Sequence, residues 1–156
     1  MPDKKTCMDE ALRRLSYRLY SCNELRIHLA KKDFGENEIQ QAINTLIEKD
    51  YLNDEKFVEG FVTGRAARRL MSMMGVVYEL KRVVGNVPWL EEKVSEIYNE
   101  FLGGEEKVIS KLARKRLNGK HYSGLEKKEK RKLVNYLTNK GFKYYLVEKV
   151  LDNLSE

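Results

Sequence analysis

Residues 24–46, "ELRIHLAKKDFGENEIQQAINTL", and residues 132–154, "KLVNYLTNKGFKYYLVEKVLDNL", are one apolar pattern written twice. Setting Phe34 against Phe142 pairs Leu25 with Leu133, Leu29 with Leu137, Ile39 with Val147, Ala42 with Val150, Ile43 with Leu151 and Leu46 with Leu154. Before the turn the spacing is i, i+4, and after it i, i+3, i+4, i+7. That is the period of an amphipathic helix, not of a strand. A middle copy, "VVYELKRVVGNVPWLEEKVSEIY", keeps Leu80, Leu90, Val94 and Ile97 in register with a looser turn. A helix–turn–helix recurring about every 50 residues predicts a modular array whose units contact mainly their neighbours. The expected fold is all-α, an elongated tandem array of three three-helix repeats at 8–51, 52–102 and 103–156, after an N-terminal tail at 1–7.

Local signals refine the picture. Met8, Ala11, Leu12, Leu15 and Leu19 form one helical stripe, and Ser21 with Glu24 makes a capping box at the start of the next helix. Helices are expected over 8–20, 21–33, 36–50, 54–70, 73–84, 88–102, 104–118, 125–140 and 143–154. Ser123 with Glu126 reads as a second capping box, Pro88 as a first-turn residue, and Gly119 and Gly141 as helix ends. The valines of 73–84 would also suit a strand, but repeat register favours helix. Met71, Met73 and Met74 read as adaptable packing around a bend.

With only 2 prolines in 156 residues, few segments are interrupted. No apolar run reaches membrane-spanning length and "MPDKKTCMDEALRRL" lacks a signal-peptide core, so a soluble, cytoplasmic protein away from membranes is expected. Cys7 and Cys22 are expected as reduced thiols, one of them packed. The net charge of +6 is unevenly spread. Residues 1–50 carry 9 bases and 9 acids, and residues 51–100 carry 7 and 8, whereas residues 101–156 carry 14 and 7. Within 107–132, 11 bases face 2 acids, as suits a segment lying against a polyanion or an acidic protein, or a merely solvated helix face.

Catalytic patterns are lacking. "GFVTGRAARR" has Gly60 and Gly64 but not the lysine of a phosphate loop, and no H-E-x-x-H, G-x-S-x-G or paired-cysteine motif occurs. No metal and no cofactor is expected. Asp54-Glu55-Lys56 resembles the end of a metal-nuclease site, yet one aspartate opening a helix cannot position a hydrolytic magnesium alone. Asn53 or Asp54 reads instead as a helix cap, Glu55 as a charge on the positive end of the dipole, and Phe57, Val58, Phe61 and Val62 as a buried stripe. Gly60 and Gly64 are expected where another backbone comes close. Tyr136, Tyr144 and Tyr145 read as packing residues before base-stacking ones, and His28 and His121 as surface or partly buried polar residues.

The stretch "LNDEKFVEGFVTGR" (52–65) resembles the signature of the RecX regulatory proteins, Leu-x-Asp-Glu-x-Phe-x-x-x-Phe followed by an arginine. "LSYRLYSCNELRIHLAKKDFGENEIQQAINTLIEKDYLND" is similar to that family's first repeat. "LARKRL" followed by "EKKEKRKLVNYLTNKGFKYYLVEKVL" is similar to its last, with the Lys-Gly-Phe turn. The resemblance spans roughly residues 8–154. It departs from the family in the middle, where the loop is "LMSMMG" and "VVGNVPW" lacks the usual Gly-then-aliphatic order.

The resemblance implies a non-enzymatic regulator of the RecA recombinase that binds the RecA–single-stranded DNA filament, bridges protomers in its groove, and inhibits ATP hydrolysis, strand exchange and filament growth. The expected partners are that filament and single-stranded DNA, with duplex DNA bound more weakly, and the protein acting as a monomer. Lys111, Arg114, Lys115, Arg116, Lys128, Arg131 and Lys132 are the expected main electrostatic contact, and Arg65, Arg68, Arg69, Lys81 and Arg82 a second patch. The alternative is a stand-alone helical nucleic-acid-binding protein making backbone contacts through its basic C-terminal third.

Overall fold

The computed structural model describes residues 4–155, so part of the tail assigned to 1–7 (residues 1–3) and the terminal Glu156 lie outside the described residues. Among the described residues every regular element is helical: α1 (Cys7–Leu15), α2 (Cys22–Lys31), α3 (Glu36–Glu48), α4 (Asp54–Phe61), a π-helical turn (Val62–Ala66), α5 (Ala67–Arg69), α6 (Met73–Val84), α7 (Leu90–Leu102), α8 (Glu105–Leu117), a 3-10 turn (Tyr122–Gly124), α9 (Lys127–Asn139) and α10 (Tyr144–Asn153). They fall into two compact units. The first holds the described residues up to Gly60 with Leu80–Val87, and the second holds Phe61–Glu79 with the described residues from Pro88 onward.

In the first unit α1, α2 and α3 pack pairwise around Cys7, Ala11, Leu25, Leu29, Ile39, Ala42, Ile43, Leu46 and Leu52. Capping boxes start α1 (Thr6 with Asp9) and α2 (Ser21 with Glu24), which satisfies amide groups that the first helical turn leaves unpaired. Ser21 is fully buried, and its Oγ also donates to the Val83 carbonyl at 2.6 Å. Asn23 donates to the Val84 carbonyl at 2.9 Å. The Cys22 amide donates to Asp54 Oδ1 at 2.8 Å, and Asn53 Oδ1 accepts from the Lys56 amide at 3.2 Å. Asn53 therefore caps α4, while the Asp54 carboxylate serves the start of α2.

In the second unit α7 packs on the π-helical turn, α8 on α7, α9 and α10, and α9 on α10. Tyr98 is fully buried and its hydroxyl donates to the Met71 carbonyl at 2.8 Å. Ser72 Oγ accepts from the Gly75 amide at 3.0 Å at the start of α6 and donates to the Lys140 carbonyl at 2.8 Å.

The repeated register is largely a register of burial. Leu25, Leu29, Ile39, Ala42 and Ile43 are buried in one copy and their partners Leu133, Leu137, Val147, Val150 and Leu151 in the other, whereas buried Leu46 and Phe142 face half-buried partners, Leu154 and Phe34. Leu80, Leu90, Val94 and Ile97 are buried in the middle copy. The turns share a device as well. Asp33 (φ 64°) and Gly141 (φ 98°), each just before its aligned phenylalanine, both lie in the left-handed region, as does Gly85 (φ 100°) in the middle turn. That conformation stops the first helix and redirects the chain into the second.

Several local expectations are corrected. The first helix stops at Leu15 and not at residue 20, because the chain turns at 16–18; Leu12 (43% exposed) and Leu19 (56%) leave the expected stripe. Pro88 precedes α7 and is not within it. The capping box of α9 is formed by Glu126 with Glu129, so Ser123 takes no part and sits in the 3-10 turn. Gly60 and Gly64 do not mark a close backbone. A Cβ on Gly60 would meet the Leu19 side chain at 3.0 Å, and one on Gly64 would meet only Arg68 of its own helix at 3.7 Å. Gly64 instead lies within the π-helical turn. Met74, Tyr144 and Tyr145 are 57–63% exposed and are not packing residues.

Candidate functional site

Burial along α8 and α9 turns the cations of the basic C-terminal third to solvent. On α8, Val108, Ile109, Leu112, Ala113 and Leu117 are buried, so Lys111, Arg114, Lys115 and Arg116 stand in solvent. Glu105 and Glu106 open this helix and Arg114, Lys115 and Arg116 close it, matching its dipole at both ends. On α9, Leu133 and Leu137 are buried, and Lys128, Arg131 and Lys132 are exposed. The two helices pack against each other.

Among the described residues none of these seven cations has a carboxylate within ion-pairing distance. The Arg116 guanidinium lies 4.3 Å from the centre of the Tyr136 ring, and Lys140 lies 5.2 Å from it. A pocket of about 430 Å³ opens beside the end of α8, with Arg116, Lys120, Glu129 and Lys132 among its lining residues. Lys120 and Glu129 are 3.9 Å apart. The exposed surfaces of α8 and α9 thus carry cations without direct carboxylate partners, one of them against an aromatic ring, which suits contact with a polyanion.

A family model described as "RecX, first three-helix domain" matches residues 7–46. The Regulatory protein RecX of Clostridium perfringens (strain 13 / Type A) is 32% identical over 155 residues, covering 96% of this chain and 68% of that protein. The chain belongs to the RecX family. The Regulatory protein RecX of Trichlorobacter lovleyi is 28% identical over 148 residues, covering 94% of each chain. The crystal structure of RecX from Lactobacillus salivarius shares the fold, with a TM-score of 0.75 at 24% identity over 95% of this chain and 94% of that one.

The five residues of the second expected patch stand differently from the first seven. Arg65 and Arg69 both reach Glu79, at 3.7 and 3.6 Å, so part of their charge is already met. Arg68 and Arg82 are exposed and Lys81 is half-buried. Arg65, Arg68 and Arg69 belong to the second compact unit and Lys81 and Arg82 to the first.

The RecX-like signature stretch is structural at its acidic end. Asp54 accepts the Cys22 amide, and Lys56 pairs with Asp50. Among the described residues no group of three or more His, Cys, Asp and Glu is placed to hold a metal ion, and no helix is long and apolar enough to cross a membrane. Cys7 is buried and Cys22 half-buried, both as free thiols.

Two arrangements escape sequence reasoning. Glu10, only 4% exposed, accepts from Arg13 Nη2 at 2.8 Å and lies 2.8 Å from His28 Nε2, joining α1 to α2. Hydrogen bonds from Arg13, then from His28, hold its carboxyl far below the usual range, at about 2. The pairing of Arg116 with Tyr136 joins residues on different helices and leaves no local trace in the sequence. The i, i+4 spacing of Tyr136 and Lys140 is the one readable hint.

Proposed function

We propose that this RecX-family chain is a non-enzymatic regulator that binds the RecA–single-stranded DNA filament, bridges protomers in its groove, and inhibits ATP hydrolysis, strand exchange and filament growth. It acts in the cytoplasm as a monomer, with three helical repeats at 8–51, 52–102 and 103–156 as its modules. Single-stranded DNA within the filament is the polyanion, and free duplex DNA binds more weakly. The observation that carries this reading, beside family membership, is the exposed surface of α8 and α9, whose seven cations have no carboxylate partner among the described residues. Paired surface charges would add little to such a contact, whereas free ones release counterions when they meet phosphate. The Arg65, Arg68, Arg69, Lys81 and Arg82 patch ranks second because Glu79 already occupies two of its arginines.

The same face would also serve a stand-alone nucleic-acid-binding protein, and one assay separates the two. RecA with single-stranded DNA and ATP is titrated with the protein. Loss of ATP hydrolysis at protein concentrations well below that of DNA sites supports the regulator. DNA binding of equal strength with and without RecA, and no change in ATP hydrolysis, supports the alternative. Metal-dependent strand cleavage would contradict both.

A further inference from the structure

The pocket at the end of α8 has a two-part lining. Its rim is polar and exposed, from Arg116, Asn118, Lys120 and Lys132, with Glu129 as the one acid. Its inner wall is apolar, from Leu117, Leu125 and Leu133, of which Leu117 and Leu133 are buried. Lys120 is met by Glu129, but Arg116 and Lys132 have no carboxylate partner among the described residues. The aromatic contact with Tyr136 holds the Arg116 guanidinium in place, so less freedom is lost when it meets an anion.

From this we infer that the pocket seats a single nucleotide unit, with the phosphate between Arg116 and Lys132 and the base against the leucine wall. The inference rests on the polyanion reading of the α8–α9 face and names the ligand at one point of it. A volume of about 430 Å³ is at the small end of the roughly 300–1,000 Å³ of small-ligand sites, room for one nucleotide and not for a base pair within a duplex. A purely phosphate-tracking surface would not need an apolar wall. Beyond the pocket, Lys128 stands one turn before Lys132 on α9, and Lys111 one turn before Lys115 on α8. Successive cations about 6 Å apart along a helix match a repeating anion better than the scattered carboxylates of an acidic peptide.

The test uses the full chain and its Arg116→Gln/Lys132→Gln and Leu125→Asn variants, all at exposed or half-buried positions, with circular dichroism confirming the fold. Labelled oligo-dT, the same strand with abasic sites, thymidine monophosphate and poly-glutamate are titrated by fluorescence anisotropy, directly or by competition. For the strand, the double variant should bind several-fold more weakly, with a salt slope smaller by about 0.7 for each phosphate that is no longer neutralised. Leu125→Asn should erase the preference for normal over abasic strands. If the variants change monophosphate binding and not strand binding, the seat takes a free nucleotide, and the inference stands with that source. If only poly-glutamate responds, the ligand is an acidic peptide and the inference is overturned. If none responds while charge reversal at Lys111, Arg114 and Lys115 still abolishes strand binding, the pocket assignment fails and the broader reading of the face survives. If the wild-type chain binds no strand at all, both fail.

Discussion

Replacing Glu10 by glutamine should cost stability in a way that depends on pH. Its side chain is 5% exposed and is held by Arg13, His28, Arg14 and Lys5, so the substitution leaves four basic groups around an uncharged amide. A carboxyl displaced to about 2 by the hydrogen bonds of Arg13 and His28 corresponds to roughly 3 kcal/mol at about 1.4 kcal/mol per pH unit. The Arg13 and Arg14 side chains are 36% and 33% exposed, and solvent screens them, which reduces the expected loss at pH 7 to about 2 kcal/mol. Because the folded-state value is depressed, this contribution is complete above the unfolded glutamate value of about 4.3 and disappears as pH falls toward 2. Urea denaturation of both chains, followed by circular dichroism at pH 7 and at pH 2.5, measures it, with hydrogen exchange at the Leu25 and Leu29 amides reporting on the first unit. The wild-type advantage should be about 2 kcal/mol at pH 7 and most of it should vanish at pH 2.5. No difference at pH 7, or an equal difference at both values, would refute the assignment of Glu10 as an ionised clasp between α1 and α2.

Two turn substitutions should have opposite signs. Gly141→Ala places a Cβ 2.6 Å from Ser72 Oγ at a φ of +98°, and should lower the urea midpoint by an amount equal to about 1–3 kcal/mol. Asp33→Gly relieves an aspartate at φ 64° in the corresponding turn and should raise stability by about 0.5–1 kcal/mol in the same measurement. Burial and then the Asp54 carboxylate push the Cys22 thiol up to about 11, so native Cys22 should react slowly with thiol reagents at pH 8. Asp54→Asn should speed that reaction, as read by absorbance stopped-flow.

What could be read from the sequence followed the range of each interaction. The paired apolar registers of 24–46 and 132–154 gave the turns and the buried faces, because helical burial repeats every few residues. The same register assigned 73–84 to a helix against its valine-rich composition, and α6 occupies that span. The apolar spacing runs on through Leu19, whereas α1 ends at Leu15 and Leu19 lies 56% exposed beyond the turn at 16–18. The π-helical turn at Val62–Ala66 changes which carbonyl each amide meets, and periodicity alone carries no sign of it. At the candidate site, the excess of charge in 107–132 was visible as composition. Whether each cation was free or paired was not, since that depends on partners brought by the fold. Arg65 and Arg69 meet Glu79, whereas Lys111, Arg114 and Lys115 meet no carboxylate among the described residues.

The proposed contact with the RecA filament is tested most directly through that contrast. RecA-catalysed, single-stranded-DNA-dependent ATP hydrolysis is followed while wild-type protein, a Lys111→Glu/Arg114→Glu/Lys115→Glu variant, or an Arg65→Glu/Arg69→Glu variant is titrated in. The wild type should inhibit. The α8 variant should need at least about tenfold more protein for the same inhibition, as expected when three phosphate contacts are reversed, and the Arg65/Arg69 variant should change it far less. Undiminished inhibition by the α8 variant would contradict the claim that the α8–α9 face is how this chain engages the filament.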